Sequence, residues 1–187
     1  MEFRLTAILS SLAIRRMCAT VRAMERRSTI LLVEDNSDDV LLFQHALRDG
    51  GQKYDVHVAG SGEEAIDYLE RACQGGEASD HPVPRFIISD NKMPRGGGSK
   101  FLRWISEHPL CRVIPTVILS GTDDPSEVQR AFDLGAHGYF VKPAAPDELA
   151  AMMKMIFHYW AQSKVPPVKE FEVTAPGEQP VLKGSRL

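Results

Sequence analysis

Phe86-Ile87-Ile88-Ser89-Asp90-Asn91-Lys92-Met93-Pro94 is the stretch whose reading decides the fold. Three apolar residues lead without a polar break into Ser89, and a carboxylate, Asp90, stands where the run ends. An unbroken apolar run of this length suits a strand buried on both faces, as at the centre of a parallel sheet. Open α/β sheets bind ligands in the crevice outside the carboxyl ends of their strands. A carboxylate at that end, with Met93-Pro94 to stop the strand, is placed for chemistry. Taken alone, an Asp here more often opens a surface turn, so the other strand ends decide between the two readings.

Thr29 to Val33 is a second apolar run, and it also ends in acids, Glu34-Asp35. Tyr54 to Val58 alternates apolar and polar residues, as an edge strand with one exposed face does. Pro115 to Leu119 runs into Ser120-Gly121, and the short Gly138 to Val141 runs into Lys142-Pro143. Helical patterns separate these runs. Ser37-Asp38-Asp39 opens one with Val40, Phe43 and Leu47 on a common face, and Gly50-Gly51 closes it. Ser61-Gly62-Glu63-Glu64 is a capping box, with Ile66, Leu69 and Cys73 facing inward. Gln74 to Pro84 reads as a long loop. After Arg95-Gly96-Gly97-Gly98, read as flexible, a helix passes through Phe101, Leu102 and Ile105. Asp124-Pro125-Ser126-Glu127 supplies an N-cap, a proline at N1 and an acid at N3 for a helix that stops at Gly135. The last helix carries Leu149, Met152, Met153, Ile156, Phe157 and Trp160. Five strands alternating with five helices predict a parallel, doubly wound α/β sheet. The edge-like second strand favours the order 2-1-3-4-5.

The 187 residues suffice for one domain with a full core plus tails. The expected division is an N-terminal extension at 1–27, with Met24 an alternative start, a domain at 28–163, and a disordered Pro-rich tail at 164–187. A net charge of -3 without a Lys/Arg cluster argues against direct nucleic-acid binding. No apolar run approaches the roughly eighteen residues of a membrane span. Cys18, Cys73 and Cys111 lack metal-ligand spacing and read as reduced thiols of a cytoplasmic protein.

With that sheet order, the strands ending in Glu34-Asp35, Asp90, Ser120 and Lys142 deliver those residues to one rim. Carboxylates gathered there repel one another by roughly 4 kcal/mol per close pair at an intermediate dielectric. A divalent cation relieves the repulsion, and few carboxylates with open water positions suit Mg²⁺. Lys142 adds a second positive charge. A carboxylate between Mg²⁺ and a lysine is equipped to attack phosphorus while the cations neutralise the phosphoryl oxygens. The Ser120 hydroxyl can hydrogen-bond one of those oxygens, and the product is an acyl phosphate.

Val33-Glu34-Asp35-Asn36, Asp90-Asn91-Lys92-Met93-Pro94, Ser120-Gly121 and Tyr139-Phe140-Val141-Lys142-Pro143 resemble the signature of the response-regulator receiver domain. The resemblance spans about Ser28 to Ser163. It implies a single-domain regulator of a two-component phosphorelay, with Asp90 taking a phosphoryl group from a sensor histidine kinase. It further implies a Mg²⁺ site of Glu34, Asp35, Asp90 and the Lys92 carbonyl, a switch pair of Ser120 and Tyr139, and Lys142 as the phosphoryl clamp. The Lys142–Pro143 bond matches one that is often cis. The loop before the central strand and Phe157-His158-Tyr159-Trp160 are similar to regulators associated with bacterial phytochrome kinases. A phosphorylation-dependent homodimer on the fourth and fifth helices, extended by Phe157, Tyr159 and Trp160, is expected from the same source. Gly97 stands where this family usually has an acid, which predicts a looser loop after Asp90.

Two other functions compete. An aspartyl-phosphatase-type enzyme also uses a strand-end Asp with Mg²⁺, but it places a second acid two positions later, where this chain has Lys92. A receiver-like scaffold independent of phosphorylation is the alternative, and it gives no reason for Asp35, Asp90, Ser120 and Lys142 to stand together. The expected function is therefore switching by phosphorylation, not enzymatic turnover.

Overall fold

β3 (Phe86–Asp90) is buried along its whole length, and the rest of the molecule is layered on it. In the computed structural model, which describes residues 28–49, 54–74, 81–94, 97–164, 171–172 and 181–182, it lies between β1 (Ser28–Val33) and β4 (Thr116–Ser120). β2 (Tyr54–Ala59) and β5 (Gly138–Val141) form the edges, giving the parallel order β2-β1-β3-β4-β5. Both faces of β1, β3 and β4 are covered, so each apolar side chain of the central run contributes about 1.5–3 kcal/mol by burial. β2 alternates between half-buried and exposed residues until Ala59, as its sequence predicts for an edge.

Among the described residues, five helices cover the sheet: α1 (Ser37–Asp49), α2 (Gly62–Gln74), α3 (Gly97–Glu107), α4 (Pro125–Asp133) and α5 (Pro146–Gln162). On one face Phe43, Ala46 and Leu47 of α1 join Leu149, Met153, Ile156 and Phe157 of α5 over Ile30, Leu32, Phe86 and Ile88. On the other, Leu69 and Ala72 of α2 and Phe101 and Ile105 of α3 pack on Leu31, Val33 and Ile87. Ala131 of α4 packs with Leu102 and Ile118.

The start signals at Ser61 and Asp124 act as read, whereas Asn36 Oδ1 caps α1 by accepting from the Asp38 amide at 2.9 Å, and the expected stop at Gly50-Gly51 lies outside the described residues. Ser61 Oγ accepts from the Glu64 amide at 3.1 Å, and Glu64 Oε2 accepts from the Gly60 amide at 2.8 Å. Asp124 Oδ1 accepts from the amides of Ser126 at 2.8 Å and Glu127 at 3.3 Å. Gly135 follows α4 with φ 88°, a left-handed conformation that glycine adopts without a Cβ penalty. At the far end of α5 the Arg85 guanidinium donates to the carbonyls of Trp160 (3.3 Å) and Ser163 (2.8 Å), placing positive charge at the negative helix end.

Three expectations need correction. Gly97 and Gly98 are buried residues of α3, not part of a loose loop. A Cβ on Gly98 would lie 2.5 Å from the Asp90 carbonyl oxygen, and one on Gly62 would lie 2.7 Å from the Gly97 carbonyl oxygen. Close backbone approach, rather than flexibility, explains Gly62 and Gly98. The Lys142–Pro143 bond is trans, since the described chain has no cis peptide bond; trans is the lower-energy isomer of an X–Pro bond. In the segment expected to be disordered, Phe171–Glu172 (β6) pairs antiparallel with Val181–Leu182 (β7). Phe and Val are strand-favouring residues, which suits that pairing. The expected extension at 1–27, and with it Met24 and Cys18, lies outside the described residues.

The β4–β5 junction carries a titratable lock. The Thr116 amide donates to His137 Nδ1 at 3.2 Å, and the His137 amide donates to the Thr116 carbonyl at 2.7 Å. Burial lowers the His137 pKa from its ordinary 6.5. Its neutral form is the folded one, so the stability it contributes is present above the unfolded pKa and is lost as pH falls through the folded value. Unfolding titrations should show lower stability at a pH of about 5.5 than at about 7.5. His137→Asn, which keeps an acceptor near the Nδ1 position but does not titrate, should make that decline shallower; an unchanged decline would contradict the assignment.

Candidate functional site

Strand register brings the chemistry together. Val33 pairs with Ser89, Asp90 with Leu119, and Ser120 with Val141. One step past Val33, Ser89 and Val141, the residues Glu34, Asp90 and Lys142 emerge at the carboxyl rim of the sheet. Glu34 is 2% exposed and Asp90 9% exposed, while Asp35 faces solvent. One carboxylate oxygen from each of the three lies within 4.8 Å of the others.

Lys142 neutralises this cluster. Its ammonium donates to Asp90 Oδ2 at 2.6 Å, to Glu34 Oε2 at 2.6 Å and to Asp39 Oδ2 at 2.8 Å. Burial pulls the Lys142 pKa down, but the hydrogen bonds from Asp39, Asp90 and Glu34 outweigh it, and the net shift is upward. Glu34 shifts upward too, because desolvation exceeds the opposing help from Lys142. Its other oxygen accepts from the Asn36 amide at 3.1 Å. The remaining oxygen of Asp90, Oδ1, accepts from the Lys92 amide at 2.6 Å. Both carboxylates are thus fixed by one lysine and by the backbone amide two residues on.

Ser120, at the end of β4, is fully buried, and its Oγ has no hydrogen-bond partner among the described residues. An unsatisfied buried hydroxyl costs about 1–3 kcal/mol. A buried hydroxyl of this kind calls for a partner, which a water, an ion or a ligand group can supply. Tyr139 of β5 is half-buried against Leu102, Ile118, Ala131 and Ala136, and its hydroxyl donates to the Thr122 carbonyl at 2.9 Å. It therefore bridges the strand-end loop and the α4 layer. The Lys92 ammonium is exposed and pairs loosely with Glu127 of α4 at 3.9 Å, while Asn91 Nδ2 donates to Glu127 Oε2 at 3.1 Å. A cleft of about 380 Å³ opens beside them between Asn91–Met93, α3 and α4.

All the residues read from the sequence as site residues thus lie at the carboxyl rim or just beside it. The donor set of Glu34, Asp35 and Asp90 is all oxygen, which fits a hard divalent cation and not a soft one. Asp39 was missed. The sequence marks it only as part of the Ser37-Asp38-Asp39 opening of a helix, with nothing local that points to Lys142.

A family model of the response regulator receiver domain matches residues 30–154. The chain belongs to that family. Probable methanogenesis regulatory protein FilR2 of Methanothrix harundinacea is 30% identical over 131 residues, covering 70% of this receiver chain and 82% of that protein. Response regulator Rcp1 of Synechocystis sp. is 28% identical over 74% of this chain and 92% of its own length. The crystal structure of the phosphorylated cyanobacterial phytochrome response regulator RcpA matches with a TM-score of 0.69 at 29% identity, covering 76% of this chain and 100% of that one. The Mn²⁺-bound form of Rcp1 matches with a TM-score of 0.67 at 27% identity, covering 75% and 99%. Receivers bind a divalent metal at an acidic cluster of this kind, and such regulators are generally not enzymes. Among the described residues no helix is long and apolar enough to cross a membrane.

Asp38 and Asp39 are adjacent in sequence, yet only Asp39 touches Lys142. Asp39→Asn should lower folding stability by about 1 kcal/mol, because it removes a part-buried, charge-assisted hydrogen bond. Asp38→Asn should stay within about 0.5 kcal/mol of the parent. Chemical denaturation of the two variants checks this; equal effects would contradict the distinction.

Proposed function

We propose that Asp90 accepts a phosphoryl group from the phosphohistidine of a sensor kinase, and that the receiver thereby switches a protein-binding face. The observation that carries this reading is the pairing of Asp90, clamped through Oδ2 by Lys142, with the orphan hydroxyl of Ser120 in the same buried rim. Asp90 supplies the nucleophilic oxygen. As its bond to phosphorus forms, the phosphorus–nitrogen bond breaks, and the departing imidazole takes a proton from solvent. Lys142 turns its ammonium to the phosphoryl oxygens, and Ser120 donates to one of them. The Lys92 amide on Oδ1 holds the carboxylate plane during attack.

Glu34, Asp35 and Asp90, with the Lys92 carbonyl, would hold Mg²⁺. When bound, that ion supplies positive charge to the phosphoryl oxygens as negative charge develops on them. The convergence of three carboxylates with an all-oxygen donor set supports Mg²⁺, and the Mn²⁺-bound form of Rcp1 supports a divalent site in general.

Receivers of this type interact with histidine kinases. The likeness to RcpA, a phytochrome response regulator, supports a phytochrome-type kinase as the donor, and the proposed location is cytoplasmic, the usual one for receivers. The proposed receiver unit is 28–163. The switch would run from Ser120 through Tyr139, whose ring adjoins the α4 layer, to the face made by α4, β5 and α5. β5 brings exposed Val141 on an edge strand, and α5 carries exposed Met155 and Tyr159 one turn apart. The face made by α4, β5 and α5 is the proposed homodimer surface. Phe157 does not belong to it, since it is buried in the core, and Trp160 is half-buried and stacked on Phe86 at 6.4 Å; only Tyr159, 63% exposed, extends the face as the sequence reading had it.

Incubation with acetyl phosphate and Mg²⁺ tests both parts on one sample. Intact mass should rise by one phosphoryl group in the parent and not in Asp90→Asn, and light scattering should show dimer only in the phosphorylated parent. Undiminished uptake by Asp90→Asn would refute the acceptor, whereas a phosphorylated monomer at high concentration would refute the dimer alone.

A further inference from the structure

Two thiols meet on the side of the sheet covered by α2 and α3. Cys73 lies in the last turn of α2, and Cys111 lies in the turn between α3 and β4. Their sulfurs are 3.4 Å apart, in hydrogen-bond contact, and both cysteines are free. Their exposure differs: Cys73 is half-buried, while Cys111 is fully buried among core residues that include Ile105 and Ile114. A disulfide bond is about 2.05 Å long, so the sulfurs must close by only about 1.4 Å to form one. That closure is small for the last turn of a helix and a loop.

We propose that Cys73 and Cys111 are a peroxide-responsive pair that forms a reversible intrachain disulfide between the end of α2 and the turn entering β4. Cys73 is the attacking sulfur, because it is the one solvent reaches. Its thiolate displaces hydroxide from hydrogen peroxide: a sulfur–oxygen bond forms, the oxygen–oxygen bond breaks, Cys73 becomes a sulfenic acid, and the hydroxide takes up the proton the thiol released to give water. The Cys111 sulfur then attacks the Cys73 sulfur, gives up its proton, and expels the hydroxyl as a second water. Two thiols and one peroxide thus yield one disulfide and two waters, and a small dithiol reductant reverses the bond. An accessible sulfur beside a resolving thiol is the arrangement that favours a disulfide over further oxidation. The contact also biases the two groups apart. The hydrogen bond from Cys111 lowers the Cys73 pKa, and that same bond together with burial raises that of Cys111. The covalent loop would enclose β3, the residues after Asp90 and all of α3, so it restrains the unfolded chain.

The test uses the full chain carrying Cys18→Ser, so that no third thiol competes. After treatment with stoichiometric hydrogen peroxide, alkylation under denaturing conditions and peptide mapping should recover a Cys73–Cys111 bridged peptide. The intact mass should fall by two hydrogens, the midpoint of thermal unfolding should rise by several degrees, and dithiothreitol should reverse both changes. Recovery of both cysteines alkylated, of Cys73 as a sulfinic acid, or of a bridge between two chains would overturn the proposal. In Cys111→Ala the sulfenic acid on Cys73 should persist and be trapped by dimedone. The bridge mapping needs no substitution at either position, so it decides the question even if that variant folds poorly.

Discussion

Lys142 holds three carboxylates on one ammonium, each within 2.8 Å, and they come from the end of β1, the first turn of α1 and the end of β3. Each is far from Lys142 in sequence, and only the order β2-β1-β3-β4-β5 brings the strand ends to one rim. Without that charge, Glu34 and Asp90 would be buried anions in mutual repulsion, of the order of 4 kcal/mol for a close pair. Burying one carboxylate costs more than a surface ion pair returns, so the cluster persists because its charges are shared. A site of this kind is poised. On the proposed function, a phosphoryl group on Asp90 would redistribute the lysine rather than create an interaction from nothing.

The poise extends beyond the charges. Ser120 contributes a buried hydroxyl with no partner among the described residues, and Tyr139 ties the Thr122 carbonyl to the α4 layer. Gly98 lets the start of α3 approach the Asp90 backbone to a distance no side chain permits. Strand ends, the loop after Asp90 and the α4–β5 region are thus in mechanical contact.

Much of this was legible in the sequence, for a local reason. Apolar runs ending in Glu34-Asp35, Asp90, Ser120 and Lys142 declare both the buried strands and the residues at their carboxyl ends, and the order of a doubly wound sheet does the rest. Caps at Ser61 and Asp124 are equally local, since they satisfy backbone amides two to three residues away. What escaped depends on distant partners. Asp39 looks like any acid in a first turn until Lys142, 103 positions later, reaches it. Cys73 and Cys111 are 38 positions apart and share no motif spacing. Phe157 and Trp160 stand both in the apolar pattern of α5 and in the expected dimer face, because the helical pattern alone does not say how far round α5 the core extends. Gly97 read as loose because composition does not distinguish a mobile glycine from one packed against a neighbouring backbone.

The measurement that bears most directly on this account is a crystal structure of the chain with beryllofluoride and Mg²⁺, a stable mimic of the acyl phosphate. The account requires beryllium on an Asp90 oxygen, the Lys142 ammonium and the Ser120 hydroxyl both within hydrogen-bond distance of its fluorines, and the Asp39–Lys142 contact lengthened or lost. An adduct in which Ser120 Oγ stays unpaired while Lys142 remains on Asp39 would contradict it.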